Sequence, residues 1–97
     1  MSVLMTLRVT ADPKAVEATP DDVLAGIVTK AKSMGATYHR FYGNEKEVFV
    51  VDEWPDEGTF QKFFESTPEI ADMMQRAGAG EPEIAFWHHL DVKDDIG

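Results

Sequence analysis

The sequence predicts an α+β fold of the ferredoxin-like, split βαβ kind: a four-stranded antiparallel sheet with its helices on one face. Three observations carry that expectation. Val3, Met5, Leu7 and Val9 fall on one side of an alternating segment, with Thr6, Arg8 and Thr10 on the other, the pattern of a strand with one buried face. Two Thr-Pro pairs, Thr19-Pro20 and Thr67-Pro68, each precede apolar residues at helical spacing. The resulting order, β-α-β-β-α-α-β, closes into such a sheet when the crossovers are right-handed.

Each element has its own reason. Thr19 is expected to cap the first helix, with Pro20 at its first position and Asp21 and Asp22 at the positive end of the helix dipole. Val23, Leu24, Ile27, Ala31 and Met34 make its stripe, and Gly35 supplies a left-handed stop. Thr37–Tyr42 and Glu47–Trp54 then read as a hairpin around Gly43-Asn44-Glu45-Lys46, whose Gly and Asn tolerate the positive φ of a tight turn. With Tyr42 opposite Glu47, one face carries His39, Phe41, Val48, Val50, Asp52 and Trp54; the other carries Tyr38, Arg40, Phe49, Val51 and Glu53. Pro55 ends the strand, and Phe60, Phe63 and Phe64 mark a short helix. Ile70, Met73, Met74 and Ala77 form the inward stripe of the next, closed by Gly78. Glu83–Val92 is the last expected strand, followed by a polar tail.

At 97 residues, without linker, repeat or low-complexity tract, the chain is expected to be one domain over 1–97. A net charge of -9 with no Lys/Arg cluster argues against a nucleic-acid partner. The absence of cysteine removes disulfides, thiol catalysis and Cys-based metal sites from consideration. No apolar run approaches the roughly 20 residues that span a bilayer, so no membrane partner is expected. The start of the chain lacks a secretory pattern, and a cytoplasmic protein is the default expectation. Val48-Phe49-Val50-Val51 and Ile84-Ala85-Phe86-Trp87 are apolar on both faces, which a sheet covered on one side leaves exposed to water. A second copy of the chain is the simplest cover, so a homodimer is expected.

The run Val50-Val51-Asp52-Glu53-Trp54-Pro55-Asp56-Glu57-Gly58-Thr59-Phe60, with Phe63-Phe64 and Ser66-Thr67-Pro68 behind it, resembles the antibiotic biosynthesis monooxygenase-like family of the dimeric α+β barrel superfamily. The shared features are an acidic residue two before a strand-ending Trp and a helix with an aromatic anchor six residues on. The resemblance implies a homodimer whose sheets pack face to face, and a pocket in each chain between sheet and helices. It also implies activities such as cofactor-independent oxygenation of polyketide-like aromatic or quinol substrates. A haem-degrading branch uses an Asn, a Trp and a His where this chain holds Leu7, Phe63 and Met73, so haem degradation is not expected. No cofactor is expected.

Three residues are candidate catalytic groups: Asp52, His39 and His89. Asp52 shares a strand face with Trp54, and His39 faces that region across the hairpin; such an acid–base pair can take a proton from a phenol. The alternative is a satisfied polar pair near the sheet edge. Met5, Leu7, Trp54, Phe63 and Met73 are candidate substrate-binding residues, walls of a pocket for an apolar or aromatic small molecule; the same residues also suit a plain core. His88 and His89 point to opposite faces of a regular strand and cannot chelate one ion, so no metal site is assigned. Arg8 is expected to pair, in a dimer, with a carboxylate of the other chain, or to hold an anionic substrate group. Two function classes stand: a cofactor-independent oxygenase or related proton-transfer enzyme, and a non-catalytic dimeric module that binds an apolar molecule or is packed shut.

Overall fold

Alternation governs the central strand of the computed structural model, which describes residues 2–97. In β1 (Val3–Thr10), Val3, Met5, Leu7 and Val9 are buried while Leu4, Arg8 and Thr10 are exposed. The other elements are α1 (Pro13–Glu17), α2 (Asp21–Ser33), β2 (Tyr38–Gly43), β3 (Glu47–Trp54), α3 (Glu57–Glu65), α4 (Pro68–Arg76) and β4 (Glu83–Trp87). The strands run β2-β3-β1-β4, every neighbouring pair antiparallel, so the fold is α+β and ferredoxin-like. The core lies between the sheet and its helices: Ile27, Phe60, Phe63 and Ala77 close on Met5, Leu7, Val48, Val50 and Trp54.

Local chemistry shapes the ends of the helices. Asp56 caps α3, its carboxylate accepting from Thr59 N–H at 2.7 Å and from the Thr59 hydroxyl at 2.8 Å. Those two donors hold its carboxyl below the usual carboxylate range. Thr67 precedes α4, but its hydroxyl donates back to the Phe63 carbonyl at 2.6 Å, binding α3 to α4 rather than capping. Gly35 takes φ 105° after α2 and lies so close to Pro55 that an added Cβ would meet its ring at 2.6 Å.

Several expectations need correction. Pro20, not Thr19, holds the N-cap position of α2, and no side chain caps that helix. The short helix α1 was not expected, although Asp12-Pro13 is its cap and first residue. The hairpin register is shifted by two residues, Tyr42 facing Phe49 rather than Glu47; an even shift leaves every side chain on its expected face. Its turn needs no positive φ, because the Asn44 side chain accepts from the backbone N–H of Lys46 and Glu47 at 3.0 and 2.8 Å. Finally, β4 stops at Trp87 instead of Val92: Trp87 pairs with Leu4, and β1 extends only one residue further, to Val3.

Candidate active site

The sheet's inner face and the helices enclose a cavity of about 500 Å³. Met5 and Leu7 of β1, Val48 and Val50 of β3, Phe63 of α3 and Met73 of α4 form much of its wall. It opens between α2 and the edge strand β2, where the exposed side chains of Val28 and Phe41 line it. Such dimensions suit a small ring compound, and such walls attract one through apolar burial.

A part-buried polar pair interrupts the apolar interior of the lining. His39 and Asp52 are direct cross-strand partners and both line the cavity. Asp52 is buried, with His39 Nδ1 2.5 Å from its Oδ1. Nδ1 is the donor, since an ionised carboxylate only accepts. Asp52 Oδ2 accepts the indole N–H of Trp54 at 3.1 Å. Both carboxylate oxygens are therefore held, which fixes the tautomer and direction of the imidazole. Phe41 packs edge-on to the His39 ring, centroids 5.0 Å apart, and steadies it further. His39 Nε2 is left without a partner among the described residues, on a side chain that is one-third exposed. A histidine oriented by a buried carboxylate, with its second nitrogen free, is able to accept a proton from a bound hydroxyl or acidic C–H.

The other candidate residues are placed as follows. Trp54 is only 1% exposed and does not line the cavity; it stands behind Phe63 and Phe60, ring centroids 4.9 and 5.8 Å away, and reaches the site through Asp52. His89 lies outside, beyond β4, with Nε2 3.3 Å from the exposed Asp95. Arg8 is on the opposite face of the sheet, in a two-bond pair with Glu47 of the same chain. Among the described residues no three His, Cys, Asp or Glu side chains gather as a metal site would need. Sequence reasoning did not single out Phe41 or Lys32 as cavity-lining residues. Both were readable in part: Phe41 shares the strand face of His39 and Val50, and Leu24, Val28 and Lys32 recur at four-residue intervals along one helix face.

No family model and no curated protein matches the chain. Solved structures do. It is similar to SnoaB, a cofactor-independent oxygenase from Streptomyces nogalater, at 14% identity and a TM-score of 0.65, covering 97% of this chain and 98% of that one. It is also similar to a structure described as an antibiotic biosynthesis monooxygenase, at 9% identity and a TM-score of 0.63, covering 91% and 98%. A third, a protein of unknown function from Nitrosomonas europaea, shares 23% identity at a TM-score of 0.62, covering 99% and 96%. At these identities the likeness is one of fold, and it meets the resemblance carried by Asp52, Trp54 and Phe60 at that level.

Proposed function

We propose that the chain binds a flat aromatic molecule in this cavity and removes a proton from it, as a cofactor-independent oxygenase does before dioxygen reacts. The observation that carries this reading is His39, held by Asp52 with Nε2 free, beside a largely apolar cavity. An oxygenase of similar fold supports it. In such a reaction His39 accepts a proton from a ring hydroxyl or an activated ring CH2. The electron-rich anion then reduces dioxygen itself. For a CH2 becoming C=O, one oxygen atom ends in the carbonyl and the other leaves as water, so no outside reductant is required. Trp54 acts through Asp52 as a positioning residue.

The test starts from the Trp87→Phe variant, in which Trp54 is the sole indole. Titration with 2-naphthol is expected to change Trp54 emission saturably, and anthrone is expected to consume dioxygen in the protein's presence. His39→Gln should keep naphthol binding but slow oxygen uptake by roughly 100-fold or more, the usual contribution of a positioned base. Saturable binding with no oxygen uptake from any ring substrate favours the non-catalytic binding module; absence of both overturns the reading.

The partner of the chain is, on this proposal, a second copy. The outer face of the sheet presents Leu4, Phe49, Tyr38, Tyr42 and Trp87 as exposed apolar or aromatic side chains, which supports a face-to-face dimer. Light scattering at micromolar concentration checks this, and a monomer of 10.8 kDa overturns it.

A further inference from the structure

The charge at the cavity's opening runs against the charge of the chain. Eighteen acidic residues face nine basic ones overall, yet the one carboxylate lining the cavity is Asp52, already engaged on both oxygens. The cationic residues that border it are Lys32 and Arg40, and the Arg40 side chain stands on the other face of the sheet with Tyr38 and Val51. Arg40 is occupied: its Nη1 donates to the His39 carbonyl at 2.8 Å, and its guanidinium lies 4.9 Å from the centre of the Tyr38 ring. Lys30, one half-turn before Lys32, is occupied too, its ammonium bonded to the Ser66 carbonyl. Lys32 alone among these cations has neither ion pair nor side-chain hydrogen bond among the described residues. It stands in the last turn of α2, four residues beyond Val28 on the same cavity-lining stripe, at the end of the helix that leads directly into β2 and His39.

We propose that the cavity's ligand is a ring compound carrying an anionic group, a carboxylate in its simplest form, and that Lys32 selects it. This rests on the reading of the cavity as a ligand site. An anion entering apolar walls loses hydration and is disfavoured unless a cation meets it. A chain of net charge -9 also repels anions at long range, so a preference for one has to come from a local group. Lys32 is placed to provide it: a flexible stem along the rim next to Val28, with an ammonium whose three donors are uncommitted. The ring system then fills the apolar interior while its charged substituent stays at the opening, on the same end of the fold as His39. Lys32 is thus a specificity residue and takes no part in moving the proton.

The experiment compares 6-hydroxy-2-naphthoic acid with its methyl ester and with 2-naphthol, on the Trp87→Phe protein at pH 7 and low salt. The acid is expected to bind roughly fivefold more tightly than the ester, the upper range for an exposed ion pair. Lys32→Gln should reverse that order, because the carboxylate then enters with its desolvation cost unmet. Lys32→Arg should restore it. Raising salt to about 0.5 M should erode the preference without weakening 2-naphthol, since screening acts on the charge alone. An ester that binds as tightly as the acid in the unaltered cavity, or an acid preference that survives Lys32→Gln, overturns the proposal while leaving 2-naphthol binding, and so the cavity's role, intact. Failure of all three ligands to bind overturns both.

Discussion

Each face of this sheet carries one acid–base pair, and the two pairs live in different worlds. On the helix-covered face Asp52, only 5% exposed, holds His39 while also accepting from Trp54. On the open face Glu47 holds Arg8 through two hydrogen bonds of 2.8 and 3.2 Å, and the arginine side chain is 59% exposed. Both acids sit on β3, and strand parity alone separates them. The covered pair adjoins a cavity and leaves one ring nitrogen free beside it; the open pair has water as its neighbour in the single chain. The difference teaches that one strand can present a covered, oriented pair on one side and a solvated pair on the other. Neither can be judged from the residue types without knowing which way each one points.

The largest effect should come from putting a charge on each face in turn. Val50→Asp buries an unpaired carboxylate against Phe60 and Phe63 and is expected to cost about 4 kcal/mol or more, a large part of a domain's stability. Phe49→Asp, one residue away and 37% exposed, should leave the fold intact and instead separate the chains of a dimer. Urea unfolding of the first and light scattering of the second measure the contrast. Equal loss of stability in both would mean that the two faces are not as different as the geometry makes them.

The two tryptophans sharpen the same contrast at smaller scale. Trp54→Ala empties a site that is 1% exposed and leaves Asp52 Oδ2 without its donor, so a loss of about 3–5 kcal/mol is expected. Trp87, 54% exposed and bonded through its indole N–H to Thr6 at 2.9 Å, should cost about 1 kcal/mol when truncated in a separated chain. In the assembled protein its loss should be greater and should depend on protein concentration, since association adds to apparent stability by mass action. A concentration-independent Trp87→Ala effect would remove the open face from the dimer argument.

Much of this was legible in the sequence, for identifiable reasons. Alternation in Val3–Val9 marks the first strand, and the two-residue period of the hairpin strands put His39, Asp52 and Trp54 on one face even though the hairpin register was off by two. The register itself depended on Asn44 closing the turn with its side chain, an arrangement that the letters Gly-Asn do not distinguish from a positive-φ turn. The five-residue α1 is too short for a periodic stripe, and the end of β4 is set by where β1 begins, a long-range fact that no local pattern in Trp87-His88-His89 encodes. The depth of Trp54 behind Phe63, and hence its link to the site through Asp52 rather than by contact, required the packing of α3 to be known.

The smallest effect lies in the exposed pair and tests the open face by its response to acid. Hydrogen bonding from Arg8, then from Asn44, holds the Glu47 carboxyl below its usual range. A carboxyl depressed in the folded state stabilises that state wherever the unfolded chain's group is already ionised, above roughly pH 4.3, and loses the contribution as pH falls through the lower folded value. Glu47→Gln should therefore be slightly less stable than the parent at pH 7, and the gap should close as pH falls below 4. Because Arg8 is solvated in the separated chain, about 0.5 M salt at pH 7 should close most of the same gap. Thermal unfolding of parent and variant across pH and salt reads both trends. A gap that persists in acid would show that Glu47 contributes by packing rather than charge. One that vanishes in acid but resists salt would mean that water has been excluded from Arg8, which on this face only a second chain can do.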